Sequence, residues 1–127
     1  MNMENKQAPK DQAQTPEQII EEVLIERFGA DRLKTWKGQF AQRKLSVIAV
    51  EDKLAVLRPI TAEVIATYSM MMADTTMGGM DKATKYILEE LWIDGDTCLK
   101  DDEEYFISTM LQVQNTIEVK KSAFYRL

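Results

Sequence analysis

The sequence predicts a mostly helical α+β fold in which one short antiparallel β-hairpin packs on about four to five helices. Apolar residues recur at helical spacing in several segments, and the period changes to two between Arg43 and Leu57. With 127 residues, of which 45% are hydrophobic, the chain has room for one domain with its own core. Residues 1–15 have no apolar period, so we expect a disordered arm followed by a single globular domain over residues 16–127.

The first two helices are predicted from their end signals. Thr15 and Gln18 have the spacing of a capping box, and Pro16 suits the first helical position. Gly29 ends this helix, whose apolar stripe consists of Ile19, Ile20, Val23, Leu24 and Phe28. A short second helix follows, with Asp31 as its cap, Leu33 and Trp36 as its apolar residues and Gly38 at its end.

Two short antiparallel strands are predicted next. The first strand shows alternation with period two, because Leu45, Val47 and Ala49 alternate with Ser46 and Ile48. A tight turn at Glu51 and Asp52 leads to a second apolar run, which Pro59 ends because proline has no N–H for a sheet hydrogen bond. A lone hairpin is marginal in water, so we expect helices to cover it.

Two further helices are predicted on either side of a glycine pair at residues 78 and 79. Thr61 is the expected cap of the first, whose apolar side consists of Val64, Ile65, Tyr68, Met71 and Met72. Asp81 starts the second, whose apolar residues are Ala83, Ile87, Leu88, Leu91 and Trp92.

The last helix is predicted to be long, with complementary charges at its ends. Asp101 or Asp102 caps it after a polar loop, glutamates lie in its first turn and Lys121 lies near its end, as the helix dipole favours. Its apolar stripe consists of Phe106, Met110, Val113, Ile117 and Phe124, widened by Ile107 and Leu111. We expect Trp92 and Phe106 to be buried core residues on either side of the acidic loop.

Residue composition argues against several classes of function. The net charge is −5 and no run of basic residues exceeds two, so we expect neither a nucleic-acid nor a membrane partner. The chain has no histidine, which removes histidine-based catalysis and histidine-ligated metal. We therefore expect no enzyme and no cofactor. The polar N-terminus lacks the apolar stretch of a signal peptide, so we expect a cytoplasmic protein.

The acidic segment from Asp94 onward is a candidate metal site that fails the ligand pattern. With Asp94 at the first position of a calcium loop, Cys98, Leu99 and Tyr105 occupy the positions that need an oxygen ligand, a glycine and a glutamate. We therefore expect no metal. Cys98, the only cysteine, has no histidine to act as its base and is expected to be inert.

A cluster of methionines is the candidate partner surface. Flexible thioethers adapt to apolar segments of other proteins, but they also fill irregular cores, and both interpretations stay open. The members of this candidate surface are Met70, Met71, Met77 and Met80.

Three segments of residues 44–127 occur in a recognisable order. Residues 44–61 form the hairpin that ends in Leu57-Arg58-Pro59, and residues 87–96, ILEELWIDGD, run from a helix into a Gly-Asp turn. Residues 101–106, DDEEYF, then open a long helix with a basic end. This order resembles the small tail assembly chaperones of tailed phages and prophages.

The resemblance implies a non-enzymatic role in virion assembly. Such proteins coat the long, apolar, helical tape measure protein and help tube subunits to gather around it, so these tail proteins are the implied partners. The resemblance also implies a structural turn marked by Trp92, Gly95 and Asp96, and it carries over no catalytic residues. The alternatives are a minor structural component of the virion or a small helical adaptor protein.

Overall fold

A computed structural model describes residues 14–41, 43–74 and 79–124, with the backbone alone at Phe124. The helices in these ranges are α1 (Pro16–Phe28), α2 (Ala30–Gln39), α3 (Ala62–Ala73), α4 (Gly79–Leu91), α5 (Cys98–Asp101) and α6 (Glu103–Phe124). The strands are β1 (Ser46–Val50), β2 (Lys53–Leu57) and β3 (Trp92–Gly95). The predicted class, a mostly helical α+β fold, is confirmed.

The chain forms two compact units, the first ending at Gln42 and the second beginning at Arg43. Each unit is described by itself below. The prediction of one globular domain over residues 16–127 stays a prediction. The arm predicted at residues 1–15 lies outside the described residues up to residue 13.

The first unit is a pair of helices joined by a single residue. The Thr15 hydroxyl accepts a hydrogen bond from the Gln18 N–H at 3.1 Å, and the Gln18 side chain accepts one from the Thr15 N–H at 2.9 Å, which confirms the capping box. Gly29, at φ 97°, ends α1 and directly precedes α2, so the predicted Asp31 cap is wrong. Among the described residues of this unit, the buried side chains are Leu24, Leu33 and Trp36.

The described strands of the second unit form one antiparallel sheet in the order β1-β2-β3. The hairpin register confirms the two-residue turn at Glu51 and Asp52, and Glu51 adopts a φ of 57°. The third strand lies beyond the predicted hairpin, and it places Gly95 opposite Ala55 of β2. The segment predicted as a turn is therefore mainly a strand, held in place by a partner far away in sequence.

In β1, the buried side chains are not those of the alternating apolar set named in the sequence analysis. They are the side chains that lie between the members of that set. Ile48 and Val50 are buried, whereas Ala49 is exposed and Val47 is half-buried. Ile48 and Val50 bury more apolar area than Ala49 could, and the period of two carries Ser46 inward with them.

Helices α3, α4 and α6 pack on one another, and α6 also lies against β1. Thr61 caps α3 by accepting from the Val64 N–H at 3.2 Å, and Asp102, one of the two predicted caps, accepts from the Glu104 N–H at 2.9 Å. Phe106 is buried as predicted. The most deeply buried large side chains of this core are Ile48, Leu57, Tyr68, Ile87, Leu88, Leu99, Val113 and Ile117.

The side-chain amide of Gln112 joins α6 to β1. The Ala49 N–H donates a hydrogen bond to Gln112 Oε1 at 2.9 Å, and Gln112 Nε2 donates one to the Ala49 carbonyl. In this hairpin register the polar backbone groups of Ala49 point away from β2. Gln112 therefore satisfies both groups at once.

Replacing Tyr68 with phenylalanine should raise the free energy of unfolding by about 1 kcal/mol. Tyr68 is buried in α3, and its hydroxyl has no hydrogen-bond partner among the residues that the structure describes. The substitution removes an unpaired polar group from the core and keeps the ring. Urea unfolding at neutral pH measures the effect, and Tyr86→Phe, at a half-buried position of α4, is the matched control.

The Tyr68→Phe variant should lose less stability than the wild-type protein when the pH becomes alkaline. Burial, with a smaller contribution from the charge of Glu118, raises the pKa of Tyr68 above its ordinary value. The unfolded chain ionises first when the pH passes about 10, so the wild-type protein loses stability as the pH rises through that range. A phenylalanine at this position cannot ionise. An equal alkaline loss in Tyr68→Phe and wild type would contradict the assignment to this group.

Candidate functional site

The four methionines proposed as a partner surface lie in different environments. Met70 is 75% exposed on α3, whereas Met71 is half-buried and packs against the core of the second unit. Met80 is half-buried in α4, and Met77 lies outside the described residues. Of the described members, only Met70 offers its side chain freely, so a partner surface at this cluster stays a prediction.

The glycine pair next to these methionines includes one position with a tight packing requirement. A Cβ at Gly79 would overlap the carbonyl oxygen of Asp74 and would lie 2.6 Å from the carbonyl oxygen of Met71. Both oxygens belong to the C-terminal end of α3, so Gly79 permits the close approach of α4 to that end. Gly78 lies outside the described residues.

The residues predicted as a structural turn connect β3 to β2. Gly95 has a φ of 151°, and a Cβ there would lie 2.5 Å from both Ala55 Cα and the Leu54 carbonyl oxygen. Asp96 continues the pairing, because its N–H donates to the Leu54 carbonyl and its carboxylate accepts from the Leu54 N–H, both at 2.8 Å. These contacts give Gly95 and Asp96 a structural role.

Trp92 is half-buried at the edge of the core, so the prediction that it is a buried core residue is wrong. The ring packs against the core, and the ammonium group of Lys100 lies 4.1 Å from its centroid. Trp92 is the first residue of β3, where the strand leaves the end of α4. A charged amine over the ring face is a favourable arrangement that leaves part of the ring in water.

Asp94 in the acidic segment and the cysteine at position 98 occupy positions that their local contacts explain without a ligand. Asp94 accepts a hydrogen bond from the Gly95 N–H at 2.8 Å, and Cys98 is half-buried at the start of α5. In the part of the chain that the structure describes, no group of three or more Cys, Asp or Glu residues could hold a metal ion. The expectation that no metal binds stays a prediction.

A row of exposed aliphatic side chains on α1 is the clearest candidate for a binding surface. Ile19, Ile20 and Val23 are 48%, 44% and 40% exposed, and their spacing of one and four residues places them side by side on the helix. Leu24, on another side of α1, is the residue that is buried. We call Ile19, Ile20 and Val23 the α1 face.

The α1 face was missed in the sequence because it was assigned to the core. The predicted stripe combined the two sides of the helix, and only Leu24 of that stripe is buried. A signal was present: α1 carries apolar residues over more than one side, which is more than packing on a single partner helix needs. The sixth large apolar residue, Ile25, is 39% exposed on a third side.

A groove between α1 and α2 lies on the side of Ile25. Its volume is about 350 Å³, and the Glu21 carboxylate and the Lys37 ammonium form an ion pair beside it. The pair joins the two helices and places charge at the rim of the groove. The groove is lined by Glu21, Ile25, Ala30, Leu33, Lys34 and Lys37.

A second exposed apolar row lies on α6. Ile107, Leu111 and Val119 are all exposed, and they are separated by four and eight residues. Asn115 occupies the position between Leu111 and Val119 in the same row and is also exposed. This polar residue interrupts the row, whereas the α1 face is continuous.

Comparison of the chain with models of protein families, with curated proteins and with solved structures finds no match. Among the helices in residues 14–41, 43–74 and 79–124, none combines the length and the apolar character needed to cross a lipid bilayer.

Proposed function

We propose that this chain is a non-enzymatic protein of the tail assembly chaperone type, which binds apolar helical segments of a phage tape measure protein. It would act in the cytoplasm of the host cell, before the tail is complete. Tube subunits are the second class of partner. The order of the hairpin, the Gly-Asp segment and the acidic start of the last helix in residues 44–127 supports the proposal.

The observation that carries the proposal is the exposed α1 face. Three neighbouring branched aliphatic residues on the outside of a helix expose apolar area that a partner can bury. Covering the exposed half of each side chain contributes about 1 kcal/mol. An interaction of this size is modest and reversible, which suits a protein that must leave its partner once the tail is assembled.

A helix is the partner shape that such a surface accommodates. Aliphatic residues spaced by one and four positions form a ridge, and a second helix packs its own side chains beside that ridge. A tape measure protein that is long, apolar and helical presents such side chains repeatedly. Several copies of the chain could then cover one partner along its length.

Co-expression with the tape measure protein of the same phage or prophage tests the proposal. We expect the chain to raise the soluble yield of the tape measure protein and to be recovered with it in a pull-down. The double variant Ile20→Ser/Val23→Ser should lose both effects. The matched control Ile107→Ser/Leu111→Ser removes two exposed aliphatic residues of α6. This variant should still raise the soluble yield of the tape measure protein and be recovered with it.

Two results would contradict the proposal. One is equal solubility of the tape measure protein with and without the chain, with no complex recovered. The other is the chain's presence in purified particles at fixed stoichiometry, which would favour the structural component of the virion.

A further inference from the structure

The α1 face has an acidic border along one side. Glu22 lies three residues after Ile19, and Glu26 lies three residues after Val23, so the two glutamates form a row next to the aliphatic residues. Both glutamates are exposed, and they are four residues apart. A helix that packs on the α1 face will therefore meet two carboxylates at its edge.

The other charges of α1 are placed differently. The helix has four glutamates and one arginine, and Glu21 is directed towards α2, where it pairs with Lys37. Arg27 lies at the C-terminal end of the face, and its guanidinium is 5.1 Å from the centroid of the Phe28 ring. The charge that borders the middle of the α1 face is thus negative.

From this arrangement we infer that the α1 face binds a basic amphipathic helix, in which lysine or arginine residues flank an apolar stripe. The inference rests on the proposed function and specifies the chemistry of the partner segment. The apolar stripe covers Ile19, Ile20 and Val23, while the long basic side chains reach over the edge to Glu22 and Glu26. A helix with an acidic border would bring like charges together and would be rejected.

The test uses the full chain and two synthetic peptides. One contains leucine and lysine in an order that places all leucines on one side of a helix, and the other has glutamate at every lysine position. We expect the lysine peptide to bind about tenfold more tightly than the glutamate peptide at low salt, because only its charges complement the border. Added salt should reduce this difference. Fluorescence anisotropy of labelled peptides measures both affinities.

Charge reversal distinguishes the border from the net charge of the protein. Glu22→Lys/Glu26→Lys should weaken binding of the lysine peptide about tenfold and strengthen binding of the glutamate peptide. The matched control Glu89→Lys/Glu90→Lys makes the same change in net charge at two exposed positions of α4 and should leave both affinities close to those of the wild type. Ile20→Ser/Val23→Ser should weaken binding of the lysine peptide but should not reverse the preference for the lysine peptide over the glutamate peptide.

Equal affinities for the two peptides, or equal losses in the two charge-reversal variants, would overturn the inference. These outcomes are separate from the test of the proposed function. If the chain recovers the tape measure protein but shows no peptide preference, the chaperone proposal stands. The inference that the α1 face binds a basic helix is then wrong. If the peptide preference follows the α1 variants but no tape measure complex forms, the inference stands and the partner is another protein.

Discussion

Replacing Gly95 with alanine is expected to lower the free energy of unfolding by about 3–5 kcal/mol. The new Cβ would lie 2.5 Å from Ala55 Cα and 2.5 Å from the Leu54 carbonyl oxygen. Both are backbone atoms of β2, so relief requires the strands to separate. The φ of 151° adds strain, because residues with a side chain rarely adopt it. Urea unfolding followed by circular dichroism measures the loss.

Gly38→Ala is the matched control for this substitution. A Cβ at Gly38 meets no atom within 4 Å, and the residue lies in α2. Alanine there should stabilise the helix by about 0.5–1 kcal/mol. If the Gly95 and Gly38 variants were equally stable, the inference that β3 approaches β2 too closely for a Cβ at Gly95 would be contradicted.

The second large effect is expected for Leu99→Ala, which should lower the free energy of unfolding by about 3–4 kcal/mol. Leu99 is the buried residue of α5, a helix of four residues, and its side chain is fully buried in the core. Leu99 is the one buried side chain of this helix, so no neighbour in α5 fills the space that the missing methyl groups leave. The remaining cavity therefore adds to the lost burial of the side chain.

Leu111→Ala removes the same atoms from a side chain that is 59% exposed on α6. Its cost should stay below about 1 kcal/mol, because little area is buried and no cavity forms. Thermal unfolding of both variants under one condition provides the comparison. Similar losses in the two would mean that Leu99 is not enclosed by the core.

Features set by neighbouring residues were predictable from the sequence. The capping box at Thr15 and Gln18 and the turn at Glu51 and Asp52 depend on spacings of a few residues. The strand β3 was not predictable in this way. Its pairing depends on contacts such as those between Asp96 and Leu54, which are 42 residues apart, and no local pattern encodes that distance.

The candidate binding surface illustrates the same limit for a helix. Helical periodicity identifies which residues of α1 are apolar, but it does not say which of them another element covers. Leu24 is covered and Ile20 is exposed, although both belong to one predicted stripe. For the methionines, type and clustering left a partner surface and core filling both open, and the path of α3 holds Met71 against the core.

The amide of Gln112 has a consequence for how the chain avoids self-association. β1 is an edge strand of the described sheet, so it would otherwise present the N–H and carbonyl of Ala49 as a template for a strand from another molecule. Gln112 occupies both groups in the way that a neighbouring strand would. It follows Ala49 by 63 residues, so a ribosome completes the hairpin well before it supplies this protection. Until α6 docks, the N–H and carbonyl of Ala49 are open to pairing with a strand of another molecule, so the nascent protein passes through a state prone to edge-to-edge aggregation.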